Sequence, residues 1–338
     1  MQDNFLVNIW STSRCNFRCT YCYEKGKYRE DDLSYETADQ IIRFIKENVK
    51  GGQSLVVNFH GGEPTLNYNV IRYMVDKIEA EIPNEKQFDM TTNCSLLTDE
   101  MIDYLCKHFP RGLSISIDGN KETHELNRKC INGDVGYDII FSNALKILEK
   151  CSYVRVRMTY TRETVKNLFE NVRYLIGHGF KQIVPVPDMF SKDWTDRDFV
   201  DIEEEFKKIK QYLKRNNISD IGFDELSNEF KPKGVCTGGE DYYNINPRGD
   251  IYPCTFVVGD DSHRIGNVYD GLEYRRIEEI KCINRNRDKV EGCQECSLAP
   301  YCSNTRCLLE NYAINGDYYK PNLVRCNLMN IKYHLGDV

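Results

Sequence analysis

Three cysteines share one short loop, Cys15-Asn16-Phe17-Arg18-Cys19-Thr20-Tyr21-Cys22. Thiolates crowded this way ligate metals or iron–sulfur clusters. Four cysteines close a [4Fe–4S] cluster, so three from one loop leave one iron without a protein ligand. Such an iron can bind the amino and carboxylate groups of a small molecule and pass it an electron. Zinc is the competing reading, but a structural zinc site takes four ligands and this loop offers no fourth Cys or His. A second series lies far down the chain: Cys236, Cys254, Cys293, Cys296, Cys302, Cys307 and Cys326. Zinc ribbons compete there too, although only Cys293 and Cys296 form the C-x-x-C knuckle that suits zinc.

The elements that must position these groups begin with a strand over Phe5–Trp10, which delivers the chain into the first cysteine loop. Ser34 caps a helix with Ala38, Ile41, Ile42, Ile45 and Val49 on one face. The alternation continues: a strand over Ser54–His60, a helix with Val70, Ile71, Met74, Val75 and Ile78, and a strand over Phe88–Thr92. A helix capped by Thr98 follows, then strands over Leu113–Ile117, Val154–Thr159 and Gln182–Val186 with amphipathic helices between them. Such a pattern predicts an α/β fold with six parallel strands and crossover helices, an open, partial (β/α)6 barrel. A charged helix from Asp193 to about Asn217 connects to the rest. Beyond it the periodicity weakens and cysteine, glycine and aromatic residues increase. We therefore expect a barrel with connecting helices over residues 1–230 and a cysteine-rich domain over 231–338, cross-linked by metal rather than by a large core.

Composition narrows the setting. The 338 residues are 41% apolar and 29% charged, ordinary for a globular protein, and carry a formal charge of −7. No basic block marks a nucleic-acid groove or a surface for anionic membranes. No run of about 18 apolar residues is present, and the start, read as the beginning of the first strand, lacks the basic and apolar regions of a signal peptide. A cytoplasmic location is expected, and with it reduced thiols. The 15 cysteines then read mainly as ligands. Cys106 and Cys151, near helix ends among apolar residues, are expected to be core thiols.

The C-x-x-x-C-x-x-C loop resembles the signature of radical S-adenosylmethionine enzymes, and further motifs match that family in order. Gly61-Gly62-Glu63-Pro64 follows the second strand and resembles the glycine-rich motif that contacts the methionine amino group. Thr92-Asn93 ends the third strand, with Cys94 where relatives have glycine. Ser116-Ile117-Asp118-Gly119, then His124 and Asn127-Arg128, resembles the fourth-strand stretch. Each motif falls at the C-terminal end of a predicted strand, the edge where α/β barrels build sites. The resemblance implies that Cys15, Cys19 and Cys22 hold a [4Fe–4S] cluster, that Glu63 accepts the ammonium group, and that Ser116 and Arg128 hold the methionine carboxylate. Tyr21 lies against the adenine or packs in the core.

The later cysteines, with Ile251-Tyr252-Pro253-Cys254 and Gly266-Asn267, resemble the seven-cysteine SPASM domain. Carried over by position, Cys293, Cys296, Cys302 and Cys326 bind an outer auxiliary [4Fe–4S] cluster, and Cys236, Cys254 and Cys307 an inner one that is a cysteine short. The Cys302–Cys307 and Cys307–Cys326 intervals each run one residue longer than the usual pattern. Relatives with both domains act on peptides or proteins, so the expected function is a peptide maturase forming thioether or carbon–carbon cross-links or epimerising Cα. Cys94 is a candidate hydrogen donor for epimerisation. Anaerobic sulfatase maturation ranks second, because Thr255 stands where that group has an aspartate base. A nonenzymatic iron–sulfur or zinc scaffold is the third reading. The family resemblance further implies a flavodoxin or ferredoxin electron donor.

Overall fold

Apolar residues every second position dictate strands here, and the strands set the architecture. The computed structural model describes residues 4–24, 30–133, 136–218, 221–227 and 229–336. Residues 1–3, part of the start read as strand, and 337–338, the end of the expected second domain, lie outside the described residues. The six repeated strands are β1 (Asn4–Thr12), β2 (Ser54–Gly61), β3 (Lys86–Thr92), β4 (Leu113–Ser116), β5 (Arg155–Tyr160) and β6 (Gln182–Pro187). Between them run α1 (Tyr35–Asn48), α2 (Tyr68–Glu81), α3 (Asp99–His108), α4 (Lys121–Asn127), α5 (Tyr137–Lys150) and α6 (Leu168–Gly177), and α7 (Asp196–Arg215) follows β6. The expected caps are in place: the Ser34 and Thr98 hydroxyls accept from the N–H groups of Thr37 and Met101. The short α4, unforeseen, starts at Asn120, whose side chain accepts from Thr123 N–H.

Strands β1 to β6 are neighbours in chain order and pair in parallel. β1 does not close onto β6, so the barrel is partial. On β2, Leu55, Val57 and Phe59 are fully buried in the core, while Val56, Asn58 and His60 alternate onto the opposite, inner face.

The C-terminal part adds β7 (Tyr242–Ile245), β8 (Asp250–Tyr252), β9 (Gly266–Asn267), β10 (Gly271–Leu272), α8 (Tyr274–Arg285), α9 (Leu308–Asn315) and α10 (Leu323–Gly336). These strands make no separate sheet. β7 pairs in parallel with β1, Leu6 opposite Tyr242 and Asn8 opposite Asn244, and β8, β9 and β10 follow antiparallel. The boundary expected near residue 230 falls between α7 and β7, and one sheet runs across it.

One expectation needs correction. Cys106 and Cys151 are not separate core thiols but form a disulfide between the last turn of α3 and the end of α5. These helices pack together, bringing the two Cα atoms to 5.1 Å, a separation that a disulfide spans. Among the described residues no helix is long and apolar enough to cross a membrane.

Candidate functional site

The first cysteine loop leaves β1 and lies against the chain that follows α4. Arg18 N–H donates to Lys129 O at 2.8 Å, Thr20 N–H to Asn127 O at 3.0 Å, and Ile131 N–H to Asn16 O at 2.9 Å. Phe17 is buried beneath the loop, and Cys15, Cys19 and Cys22 are half-buried. Burial pushes the Cys15 thiol up to about 12 and the Cys19 thiol up to about 11; Cys22 lies close enough for its charge to be felt by both. Thiols this reluctant to ionise become thiolates when a metal takes the sulfur. Asn127 adds a second sign of fit: its Oδ1 accepts from Thr20 Oγ1 at 2.7 Å, while its buried Nδ2 donor has no partner.

Gly61 and Gly62 allow the end of β2 to touch this loop. A Cβ on Gly62 would stand 2.1 Å from Arg14 O and 2.9 Å from Cys15 Cβ, and Gly61, at φ +135°, would meet Thr12 O at 2.1 Å. Glu63 is 2% exposed. Its Oε1 accepts from Thr65 N–H, Thr65 Oγ1 and Thr92 Oγ1 at 3.1, 2.6 and 2.7 Å, and its Oε2 from Asn93 N–H at 2.7 Å. Burial raises its pKa against the pull of those donors. Glu63 therefore ties β2 to β3, and room for a ligand ammonium remains only at Oε2. Pro64 opens the turn of 3-10 helix that follows. Asn93 Nδ2 donates to Asn16 Oδ1 at 3.0 Å, linking the end of β3 to the cysteine loop. Cys94 adopts φ +62° where relatives carry glycine, and its sulfur is fully buried, 3.9 Å from Thr92 O.

Asp118 organises the fourth edge. Its carboxylate, inaccessible to solvent, accepts from Arg128 Nε and Nη2 at 3.0 and 2.9 Å, Tyr21 Oη at 2.5 Å and Thr159 N–H at 2.8 Å. The Arg128 guanidinium also lies 5.4 Å from the centre of the Tyr21 ring. Burial works against the charge on Arg128, and Asp118, Tyr21 and Cys19 together more than offset it. Arg128, expected with Ser116 to hold the methionine carboxylate, is paired to Asp118, and Ser116 sits half-buried at the end of β4. Tyr21, between Cys19 and Cys22, is thereby held by its hydroxyl.

Sequence reasoning missed a cluster of side chains on the inner face. His60 stacks on Trp10 with ring centres 4.6 Å apart. Its Nδ1 accepts from Gly61 N–H at 2.7 Å, so its Nε2 carries the hydrogen and donates to Tyr23 Oη at 2.8 Å. Tyr23 packs on Phe190 and Phe256 at 5.9 and 5.4 Å. Beside them runs a neutral polar row: Asn58 Nδ2 donates to Asn8 Oδ1, and Asn8 Nδ2 to Asn244 Oδ1, Tyr242 Oη and Thr255 Oγ1. Tyr242 and Thr255 share a hydrogen bond of 2.7 Å. The available signal was adjacency, since Tyr23 follows Cys22, His60 precedes Gly61, and Thr255 and Phe256 follow Cys254.

Mutual electrostatic influence sorts the other cysteines into two groups. Cys254 feels Cys236 and Cys307; Cys293 feels Cys302, Cys296 and Cys326. Burial is the main reason that Cys254, Cys302 and Cys326 resist ionisation, as do Cys307 and Cys293, each reaching about 11. Cys236, Cys254 and Cys307 line one cavity of about 470 Å³, together with Leu6, Asn8 and Glu310. Among the described residues no three such side chains converge tightly enough to hold a single metal ion.

The Radical SAM superfamily model matches residues 10–206, more than half of the chain. The cysteine-type anaerobic sulfatase-maturating enzyme of Clostridium perfringens is 25% identical, over 91% of each chain. The radical SAM cyclopropyl synthase TigE of Paramaledivibacter caminithermalis is 23% identical over 88% of this chain and 66% of its own. Among solved structures, anSMEcpe with bound AdoMet superposes with a TM-score of 0.80 at 17% identity, covering 99% of this chain and 93% of that one. Streptococcus suis SuiB bound to its precursor peptide SuiA gives 0.69 at 16% identity, covering 96% and 76%. The chain belongs to the radical SAM superfamily and is an enzyme that binds a [4Fe–4S] cluster together with S-adenosylmethionine.

Proposed function

We propose that the protein is a maturase that modifies a ribosomally made peptide, installing a thioether or carbon–carbon cross-link or epimerising Cα, with Cys15, Cys19 and Cys22 as ligands of the first cluster. When bound, the reduced cluster and S-adenosylmethionine supply a 5′-deoxyadenosyl radical that removes a hydrogen atom from the substrate. The chain's part is to hold one C–H bond in place and exclude water. Asp118, Arg128 and Tyr21 fix the loop from one side, and Glu63 and Asn93 from the other. Trp10, His60, Tyr23, Phe190 and Phe256 give the inner face an apolar wall that shields a reactive centre from solvent. The two C-terminal cysteine groups are read as auxiliary cluster sites.

The observation that carries this over sulfatase maturation is the neutral row ending in Thr255. Its hydroxyl is engaged by Tyr242, Asn244 and Asn8, and no carboxylate occupies the position where sulfatase maturases have an aspartate base. Formylglycine formation remains a second reading, favoured by the sulfatase-maturating relative that matches 91% of this chain.

Anaerobically reconstituted enzyme should release 5′-deoxyadenosine on reduction and leave a synthetic peptide spanning the modified cysteine of a sulfatase unchanged in mass. Conversion of that cysteine to formylglycine would reverse the assignment. With cysteine-containing precursor peptides, mass spectrometry should find loss of two hydrogens for a cross-link, or deuterium from solvent at Cα for epimerisation. Replacing Cys15, Cys19 and Cys22 with alanine should abolish deoxyadenosine release.

A further inference from the structure

The inner cysteine group offers three thiols, and the cavity they line shows what stands in the fourth place. Besides Cys236, Cys254 and Cys307, two carboxylates border it, Asp241 and Glu310. Asp241 sits toward Leu6, whose N–H donates to its carbonyl, and its Oδ1 accepts from Gln53. Glu310 is placed differently. Cys307 caps α9 and Glu310 lies three residues on, on the same face of the helix, with its N–H donating to Cys307 O at 3.0 Å. Its side chain is 3% exposed, and its charge is felt at both Cys254 and Cys307. Arg325 binds only one of its oxygens: Nε and Nη2 both donate to Oε1, at 3.0 and 2.7 Å. No hydrogen bond among the described residues uses Oε2.

A buried carboxylate with one oxygen clamped by a cation, lining one cavity with three thiols, is a preformed hard-donor ligand. We propose that Glu310, through Oε2, is the fourth protein ligand of the inner auxiliary cluster, completing the set Cys236, Cys254 and Cys307. Arg325 then acts as a positioning residue, orienting the carboxylate and balancing its charge from the position next to Cys326. This inference rests on the reading of the inner group as a cluster site. Its consequence is that the inner cluster has no open iron for a substrate thiolate.

The test uses full-length protein with Cys15, Cys19 and Cys22 changed to alanine, so that only auxiliary clusters contribute to the spectra. Iron analysis should give about eight irons per chain for two clusters; about four would remove the inner cluster and this inference with it. Each protein is reduced, treated with ¹³C-cyanide and examined by electron–nuclear double resonance. With Glu310 present, no ¹³C coupling to the inner cluster should appear. Glu310→Gln keeps an oxygen that can accept from Arg325 and so preserves the packing; it should open the iron and produce the coupling. Glu310→Cys should close the site again and abolish it. Cyanide binding to the Glu310 protein, or a Glu310→Gln spectrum identical to it at full iron content, would overturn the ligand assignment while leaving the peptide-maturase proposal standing.

Discussion

Replacing Asp118 with asparagine tests how the first site is held. The change removes the charge that balances Arg128, whose side chain is 9% exposed, at a carboxylate that solvent does not reach. Solvent screening is therefore weak, and breaking a buried pair from one side costs about 3–5 kcal/mol, because the remaining charge stays buried without a counterion. Asparagine also turns an NH₂ group toward donors from Arg128, Tyr21 or Thr159 that require an acceptor. At a urea dependence of about 3 kcal/mol/M the midpoint should fall by roughly 1–2 M. A second change, Arg128→Met, removes the stranded charge and fills its space with an apolar chain, so the double variant should recover most of the loss, with a coupling of about 2 kcal/mol or more. Urea unfolding of the four proteins of the cycle, followed by circular dichroism, measures this. Iron bound per chain should fall in Asp118→Asn, since Tyr21 between Cys19 and Cys22 loses its anchor. A loss under about 1 kcal/mol in the single variant, or simple addition in the double, would refute the argument that this pair is a buried, mutually dependent unit.

Two further outcomes follow from the same geometry. Gly62→Ala puts a Cβ 2.1 Å from a backbone oxygen that cannot swing away. It should displace the cysteine loop, costing more than the about 1–3 kcal/mol of ordinary overpacking and emptying the first cluster site; iron and sulfide analysis checks it, and full retention would count against the close approach. His124 is 1% exposed, and burial lowers its pKa to about 4. The unfolded chain, near 6.5, binds the proton first, so this residue takes stability away as pH falls from about 6.5 to about 4, by roughly 3 kcal/mol in all. His124→Gln should flatten the pH dependence of stability in that window alone, and an unchanged slope would show that His124 is protonated equally in both states.

What was legible in the sequence had a local signature. Ser34 and Thr98 announced their helices because a cap is a contact over three residues, and the six strands showed because alternation is written along the chain. The order of motifs at the strand ends followed. What was not legible depends on partners far apart in sequence. Asp118 and Arg128 both belong to a stretch noted for its motif, but nothing in their spacing says that the arginine serves the aspartate and, across 97 residues, that Tyr21 joins them. The short β7, β8, β9 and β10 are too brief to show a period, and the pairing of β7 to β1 spans more than 230 residues. The Cys106–Cys151 disulfide was hidden for the same reason: each cysteine ends an amphipathic helix, and only the packing of α3 on α5 brings them together.

The pairing of β7 with β1 matters most for chemistry, because it makes the two cysteine regions parts of one surface. β1 is flanked on one side by β2, which ends in His60 and Gly61, and on the other by β7, so Asn8 at its centre reaches Asn58 and Asn244 at once. The row continues through Tyr242 to Thr255, the residue after Cys254. Phe256, one step further, packs on Tyr23, the residue after Cys22. From the first cysteine loop to the inner cysteine group, the path is a direct aromatic contact. A C-terminal unit tethered only by a linker could drift relative to the barrel; one hydrogen-bonded into the same sheet cannot shift by one register without turning Asn244 away from Asn8 and Ile245 out of the core. The sheet thus sets the distance between the two cysteine regions.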